Sequence, residues 1–358
     1  MPALPPSALH QPLLHLGPDF FTELSPRPLT NPELVACDPD AAALIGLAPD
    51  DCAAGAWLDL LSGRRLPRGC RPLALDYAGH QFGRFNPFLG DGRVLVLGSI
   101  VTERGRLELS LKGAGRTPYA READGRAGLT ECLHELDLSR RLAGLGIPTA
   151  RCLCVIAGDE QVDRGGFERA AILVRLAPSH LRFGTFENCF FKRDTLGLRR
   201  LADYLIAHHC AGRVPAGDDR HAALFRAMVL DTADLIAHWQ AAGFTHGMMN
   251  TDNQSAVGVT LDLGAAAFVP ADGTAAERDA FVASPLDDKG RYAFGAQPTI
   301  GLWNCNVLAR ALSPIIPAEA LREALRAYEP HYLRQFEARR AARQQAVVHS
   351  PREPNPGS

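Results

Sequence analysis

The chain has 358 residues, of which 46% are hydrophobic and 22% are charged, a composition typical of a globular protein long enough for two lobes. Lys and Arg total 38 and Asp and Glu total 40, so the net charge of -2 excludes a highly charged disordered chain and gives no electrostatic footprint for general nucleic-acid binding. No run of about 18 apolar residues occurs, and the N-terminus lacks a basic start followed by an apolar stretch, so the sequence predicts no membrane span and no secretion signal.

The first 180 residues predict mostly strands. Residues 1–70 are rich in Pro and Ala and predict an N-terminal extension or cap with short helices, one of which begins near Asp38. Residues 94–98 and 107–112 predict two strands paired as a hairpin. Residues 129–145 have helical spacing, and their leucines at 129, 133, 136, 142 and 145 could share one face. Two further strands are expected at 150–156 and 170–176.

The rest of the chain predicts helices, at about 196–210, 220–243 and 317–342. This order divides the chain into an N-lobe of strands with one helix at 71–180 and a helical C-lobe at 181–345. Residues 346–358 are expected to form a disordered tail. The nine cysteines are scattered without a C-x-x-C pair, which favours buried thiols in a reducing cytoplasm over a disulfide framework or a zinc site.

One motif carries most of the chemistry. The segment from His246 to Asn253 is followed nine residues later by Asp262-Leu263-Gly264, and residues 256–261 between them suit a short hairpin. Protein kinases use H-R-D-x-x-x-x-N followed by D-F-G, in which His and Asn are seven residues apart, as here (253 − 246 = 7). Asn253 and Asp262 therefore match the kinase metal ligands, and their short oxygen-bearing side chains suit Mg²⁺ on a polyphosphate.

Met248 occupies the position of the kinase catalytic Asp. A thioether cannot accept the proton of a substrate hydroxyl. The motif therefore predicts either a catalytically dead kinase or a relocated base. Asp252 is the nearest carboxylate and the expected substitute, and the alternative is that it only caps the loop.

The first half offers groups for nucleotide phosphates. Lys112 ends the second predicted strand, and Glu135, in the following helix, can pair with it as the kinase Lys–Glu pair does. The other candidates are glycines in a turn before a strand and arginines near the expected junction of the lobes. They are Gly90, Gly92, Arg93, Arg175 and Arg182.

Together these residues resemble those of one family, the selenoprotein O (YdiU-type) pseudokinases, which are protein adenylyltransferases. The most specific strings are LKGAGRTPYAR at 111–121 and GFTHGMMNTDN at 243–253, and the resemblance extends from about residue 18 to about 340. It implies an α+β, protein-kinase-like bilobal fold. ATP is then bound in a flipped orientation, and AMP passes to a Ser, Thr or Tyr hydroxyl of a protein, possibly of the chain itself.

The resemblance also implies roles for individual residues. Asp252 matches the proton acceptor, Asn253 and Asp262 match the metal ligands, and Glu135 matches the partner of the lysine. The nucleotide-binding positions are matched by Gly90, Gly92, Arg93, Lys112, Asp124, Gly125, Arg175 and Arg182.

The sequence departs from the family pattern in places. His134 stands where the family has Arg, three alanines follow Asp262-Leu263-Gly264, and family members continue past the last residue of this chain. The expected partners are ATP with Mg²⁺ or Mn²⁺ and a protein substrate, with no nucleic acid and no membrane. Two alternatives stay open: a conventional phosphotransferase with Asp252 as base, and a non-catalytic nucleotide-binding pseudokinase.

Overall fold

The computed structural model describes residues 9–349 apart from 54, 104, 211 and 218, so residues 350–358 of the predicted tail lie outside the described residues. The fold is mixed α/β, with an antiparallel sheet in the first half and helices in the second. The strands are β1 (Phe21–Glu23), β2 (Glu33–Cys37), β3 (Leu73–Leu75), β4 (Gly79–Gln81), β5 (Arg84–Asn86), β6 (Val94–Thr102), β7 (Gly105–Lys112), β8 (Ala127–Gly128), β9 (Arg151–Asp163), β10 (Phe167–Ala177), β11 (Phe244–Thr245) and β12 (Ala267–Phe268). The helices are α1 (Pro39–Leu44), α2 (Gly55–Leu61), α3 (Leu129–Gly144), α4 (Phe183–Phe191), α5 (Thr195–His209), α6 (Arg220–Ala242), α7 (Ala275–Asp279), α8 (Gln297–Leu312), α9 (Ala318–Arg326) and α10 (Tyr328–His349).

The large sheet has the strand order β1-β3-β6-β7-β10-β9-β2, with β8 paired to β10, and each of these pairs is antiparallel. The predicted hairpin is confirmed, since β6 and β7 pair from Val94 opposite Lys112 to Thr102 opposite Gly105. On the neighbouring strand, Arg175 lies opposite Ser110. Because side chains alternate along a strand, Lys112 and Arg175 project from the same face of the sheet.

Helix α3 covers that face. Its side chains Cys132 and Leu136 pack with Val155 and Leu173 of the sheet in one buried cluster. The expectation that five leucines share its buried face is wrong for two of them, because Leu133 and Leu145 are 36% and 40% exposed. The helix thus places Glu135, one residue before Leu136, over the strand that ends in Lys112.

The opposite face of the sheet packs against the N-terminal segment, including Trp57 and Leu60 of α2. Asp38 caps α1 as predicted, accepting a hydrogen bond from the Asp40 amide at 3.1 Å. The segment expected to form a cap with short helices also supplies the edge strands β1 and β2. Strands of three to five residues without a strict apolar alternation carry too weak a sequence signal to be predicted.

The helical half contains three helices that the sequence did not predict, α4, α7 and α8. In α4 every residue from 183 to 189 is buried, so the sequence lacks the polar face by which a surface helix is recognised. The single helix predicted at 317–342 is two helices, α9 and α10. Pro330 lacks an amide hydrogen and its ring would clash with the carbonyl four residues earlier, at Arg326, where α9 ends.

Two observations bear on the other expectations. Among the described residues, no helix is long and apolar enough to cross a membrane. All nine cysteines are free thiols, and those other than Cys37 and Cys70 are buried.

Phe186 of α4 is fully buried in the core between the helices, whereas Phe167 on β10 is 83% exposed. We expect Phe186→Ala to lower the free energy of unfolding by about 3–5 kcal/mol because it opens a cavity in the helical core. Phe167→Ala makes the same chemical change at the surface and should leave stability nearly unchanged. Urea unfolding of both variants checks this, and equal midpoints for the two would contradict the assigned packing.

Candidate active site

The sheet and the segment after β11 meet around a cavity of about 480 Å³. The predicted site residues that line it are Gly90, Gly92, Arg93, Lys112, Arg182, Asn253 and Asp262. Met248 lines it as well. The kinase-like motif and basic groups that precede it in the sequence therefore share one cavity.

Lys112 is buried at the end of β7 and is held by two carboxylates of α3. Its Nζ contacts Glu135 in a short ion pair and donates to Glu131 Oε1 at 2.6 Å. Burial lowers the pKa of Lys112, but the two carboxylates outweigh it and raise the pKa above its usual range. The predicted Lys112–Glu135 pair is confirmed, and the amine is fixed in its charged form.

Glu131 is a site residue that the sequence analysis missed. Its carboxylate also accepts two hydrogen bonds from the guanidinium of Arg93, at 2.7 and 2.9 Å. Burial alone would raise its pKa, but Lys112 and Arg93 lower the pKa of Glu131 to about 2. Its spacing of four residues from Glu135 on the same helix was the available signal, because residues i and i+4 share a helix face.

Asp262 joins two buried arginines. Its Oδ1 accepts from Arg175 at 2.8 Å and its Oδ2 accepts from Arg182 at 2.5 Å. Burial alone would raise its pKa, but Arg182 and Arg175 hold the pKa of Asp262 well below its usual range. Arg175 does not line the cavity; it stands behind Asp262 and fixes that carboxylate.

Arg182 has further contacts that the sequence did not reveal. Its guanidinium lies 3.5 Å from the carboxylate of Asp91 and over the ring of Tyr77, at 4.8 Å from the centroid. It also donates to the backbone carbonyl of Asp252 at 2.8 Å. Asp91, between the two predicted glycines, is buried and accepts from the Tyr77 hydroxyl at 3.1 Å.

Asp252 lies beside the cavity and is only 7% exposed. Its Oδ2 accepts from Gln81 Nε2 at 3.0 Å, and its Oδ1 has no hydrogen-bond partner within the described residues. Burial raises the pKa of Asp252 to about 6, against the opposing effect of Gln81. Oδ1 is therefore a buried carboxylate oxygen without a hydrogen-bond donor, and it lies on the side of Gly79 in β4. Gln81 had no sequence signal, because it comes from a hairpin 171 residues away.

Two further features complete the cavity. Asn253 donates from Nδ2 to the carbonyl of Met248 at 3.0 Å, which fixes the amide plane at the cavity wall. Gly90 has φ of +131°, and a Cβ there would lie 2.5 Å from the ring of Tyr119. A larger residue at position 90 would therefore displace this aromatic wall.

Asp124 and Gly125 lie in a loop outside the cavity wall. The carboxylate of Asp124 accepts from Arg164 at 2.7 Å and from the amide of Arg126 at 2.8 Å. Asp124 and Gly125 directly follow Ala123, which lines the cavity, but they do not line it themselves.

The fold and the cavity define a class: a mixed α/β protein with a cleft in which buried Lys and Arg side chains surround an Asn–Asp pair. Charged groups of this kind suit phosphate anions. The profile of the family described as "Protein adenylyltransferase SelO" matches residues 7–345, and the chain belongs to this family. The resemblance predicted from the sequence is confirmed.

Named relatives agree with that assignment. A protein nucleotidyltransferase YdiU of Pseudomonas fluorescens is 44% identical over 326 residues, which cover 89% of this chain and 65% of that protein. The protein of the same name from Herminiimonas arsenicoxydans is 44% identical, over 90% of this chain and 64% of that protein. The chain therefore spans slightly less than two thirds of the length of these relatives.

A solved structure of WaaP in complex with acyl carrier protein also aligns. It is 16% identical, with 89% of this chain and 100% of that chain covered, and the TM-score is 0.27. A likeness of this size supports no argument about fold or function.

The buried ion pairs of Asp262 should dominate local stability. We expect Asp262→Asn to lower the free energy of unfolding by about 3–5 kcal/mol, because it leaves Arg175 and Arg182 buried without a full counter-charge. The matched control is Asp124→Asn, whose pair with Arg164 is 46% and 32% exposed and should cost no more than about 1 kcal/mol. Thermal unfolding measures both, and a smaller loss for Asp262→Asn than for the control would contradict the arrangement.

Proposed function

We propose that this chain binds ATP with Mg²⁺ in the cavity and transfers AMP to Ser, Thr or Tyr hydroxyls of proteins, with pyrophosphate as the leaving group. The observation that carries the proposal is the composition of one cavity. Basic groups and an Asn–Asp pair line it, Met248 stands where a kinase has its base, and a carboxylate with a free oxygen lies next to the pair. The family description and the names of the relatives support the same activity.

The finer fold proposal is a kinase-like bilobal arrangement. The sheet with α3 corresponds to the first lobe and the helices from α4 onward to the second, with the cavity between them. A hairpin lysine paired with a helix glutamate, facing an Asn–Asp pair from the other half, is the relation between the two lobes of kinases.

The cations have distinct proposed roles. Arg93 and Lys112 lie at the end of the hairpin and would hold the outer phosphates of a flipped nucleotide. Arg182 lies beside Asp262 and would hold the oxygens nearer to the metal. In this orientation the α-phosphate faces Asn253 and Asp262, which makes AMP the transferred group. Asp124 and Gly125 are proposed to act through the backbone of their loop.

The residues present fit a magnesium ion. Mg²⁺ prefers oxygen ligands and commonly takes one or two from the protein, with water and phosphate oxygens as the remainder. Asp262 is held in its ionised form, and each of its oxygens keeps a lone pair beyond the bond to an arginine. No cluster of three or more His, Cys, Asp or Glu suited to a metal occurs among the described residues, so the proposed site relies on this pair and the nucleotide. When bound, the ion would neutralise phosphate charge, and Mn²⁺ would suit the same donors.

Asp252 is the proposed proton acceptor. The hydroxyl oxygen of the substrate forms a bond to the α-phosphorus while the bond between that phosphorus and the bridging oxygen to the β-phosphate breaks. The hydroxyl proton passes to Asp252, whose Oδ1 is free, while Gln81 holds Oδ2. Lys112 and Arg93 compensate the charge that develops on pyrophosphate.

The remaining partners follow from the same proposal. They are ATP and a protein substrate, which includes the chain itself, with neither a nucleic acid nor a membrane required. The proposed location is the cytoplasm, where ATP is available and where free thiols such as the nine of this chain persist.

Labelled ATP tests the reaction. With α-labelled ATP and Mg²⁺ we expect label on protein and a mass gain of one AMP unit, and with γ-labelled ATP we expect none. Asp252→Asn should lower the rate by about 10²–10⁴-fold because a positioned proton acceptor is lost. Asp50→Asn, at an exposed aspartate, is the matched control and should retain full activity.

The other outcomes separate the alternatives. Transfer of γ-label would establish a conventional phosphotransferase. Thermal stabilisation by ATP and Mg²⁺ without transfer of either label, in wild type and Asp252→Asn alike, would establish a non-catalytic nucleotide-binding protein.

A further inference from the structure

A second, larger cavity of about 630 Å³ lies between α4, α5 and α8 and is closed on one side by the β4–β5 hairpin. Its wall is largely aromatic and aliphatic, with Phe85 and Phe191 at exposed positions and Leu198 buried below them. Nothing in the proposed reaction uses it. Apolar concave surfaces of this size with a few polar groups are the usual form of a binding site.

One polar group in its wall has an unmet hydrogen-bonding capacity. Glu187 is 4% exposed, its Oε2 pairs with His80 Nδ1 at 2.5 Å, and its Oε1 has no partner within the described residues. A buried carboxylate oxygen without a donor is unfavourable, because it has lost its hydrogen bonds to water without gaining others. We therefore expect an occupant of this cavity to donate a hydrogen bond to Glu187.

The charged groups in the wall of the cavity indicate whether this donor is charged or neutral. Arg193 and Arg310 also line the cavity, so two guanidinium groups face one carboxylate. A cationic side chain would be repelled by the excess positive charge of these three groups. A neutral donor on an aromatic ring suits it, because the ring packs against phenylalanines while its N–H or O–H reaches the carboxylate.

Strand β4 connects this cavity to the proposed proton acceptor, Asp252. Strand β4 alternates its side chains, so His80 lines the cavity while its neighbour Gln81 donates to Asp252 at 3.0 Å. The backbone amide of His80 also donates to Thr251 Oγ1 at 2.7 Å, one residue before Asp252. A single short strand thus forms one wall of the cavity and one side of the catalytic carboxylate.

Helix α4 sets the distance between the two sites. Gly184 lies directly against Asp252, where a Cβ would approach its Cα to 3.3 Å. Glu187 and Phe191 follow three and seven residues later, which places them about 5 and 10 Å further along the helix axis. An extended polypeptide advances about 3.3 Å per residue, so this interval corresponds to about one to three residues.

We propose that this cavity docks the protein substrate itself, by receiving a Trp or Tyr side chain that lies within about three residues of the hydroxyl to be modified. The inference rests on the proposed function for the identity of the substrate, and it adds a specificity site to that reaction. Docking on the hairpin wall would place the target hydroxyl near the loop that carries Asp252.

The binding test uses fluorescein-labelled peptides of Ala and Gln with one central Ser and one Trp placed at each position from −6 to +6. Fluorescence anisotropy without nucleotide should show about tenfold tighter binding when Trp lies within three residues of Ser than when Ala replaces it, as expected for a buried aromatic anchor. Phe191→Glu, at a 52% exposed rim residue, should abolish this gain. Leu196→Glu is the matched control, since Leu196 is 75% exposed nearby and does not line the cavity, and it should keep the gain.

A second readout separates this proposal from the reaction. The same peptides are incubated with α-labelled ATP, and AMP yield on Ser should follow the binding order. Position-dependent binding that Phe191→Glu abolishes, without transfer of AMP, would support the docking site and contradict the proposed reaction. Equal binding and equal AMP yield for all peptides would overturn the docking site while the reaction stands. Equal affinity for N-acetyl-tryptophanamide and for the best peptide would also overturn it, because the cavity would then be a small-molecule site.

Discussion

The carboxylate of Asp262 forms buried ion pairs with two arginines, and the arrangement of the site depends on them. Arg175 lies on strand β10, Arg182 directly precedes α4, and Asp262 lies in the segment between β11 and β12. Two guanidinium groups that are only 2–3% exposed would be strongly unfavourable without this counter-charge. The three segments are therefore held together, and the cavity lies where they meet. Asp262 itself has a left-handed backbone with φ of +56°, which few residues other than Gly, Asn and Asp adopt.

The remaining charges of the cavity are arranged in pairs of unequal strength. Lys112 and Glu135 are almost completely buried, so little water competes with their contact. Arg93 and Glu131 are 33% and 25% exposed, and pairs of that kind contribute little to stability. A polyphosphate entering the cavity would consequently compete more easily for Arg93 than for Lys112. The near-zero net charge of the chain conceals this local arrangement, because Arg93, Lys112 and Arg182 each pair with a carboxylate at the cavity.

The sequence predicted the parts of the fold whose signals are local. The β6–β7 hairpin, α3, β9, β10, α5 and α6 each carry a strand or helix pattern in their own residues, and these elements position Lys112, Glu135 and Arg175. Helices α4 and α8 have no such sequence pattern, because they are buried on most sides and contain several weak helix formers. Among the residues that line the cavity, the motifs located Gly90, Gly92, Arg93, Lys112, Arg182, Asn253 and Asp262, but they missed Glu131. They could not locate Gln81, because only the tertiary fold places the β4–β5 hairpin against Asp252, and sequence distance carries no information about that contact.

Met248 occupies the place of the Asp in the kinase motif, and the position of the nearest carboxylate has a structural consequence for the site. Met248 lines the cavity, and the nearest carboxylate is displaced four residues along the loop, to a buried position beside the hairpin. There is little room at that position: a Cβ on Gly79 would lie 2.9 Å from the Cβ of Asp252. The displaced carboxylate therefore requires a glycine in β4 for close approach, followed two residues later by Gln81 to hold one of its oxygens. The position of the proposed proton acceptor, Asp252, therefore depends on the β4–β5 hairpin as well as on its own loop. Any partner that contacts the hairpin also contacts the residues that hold this carboxylate.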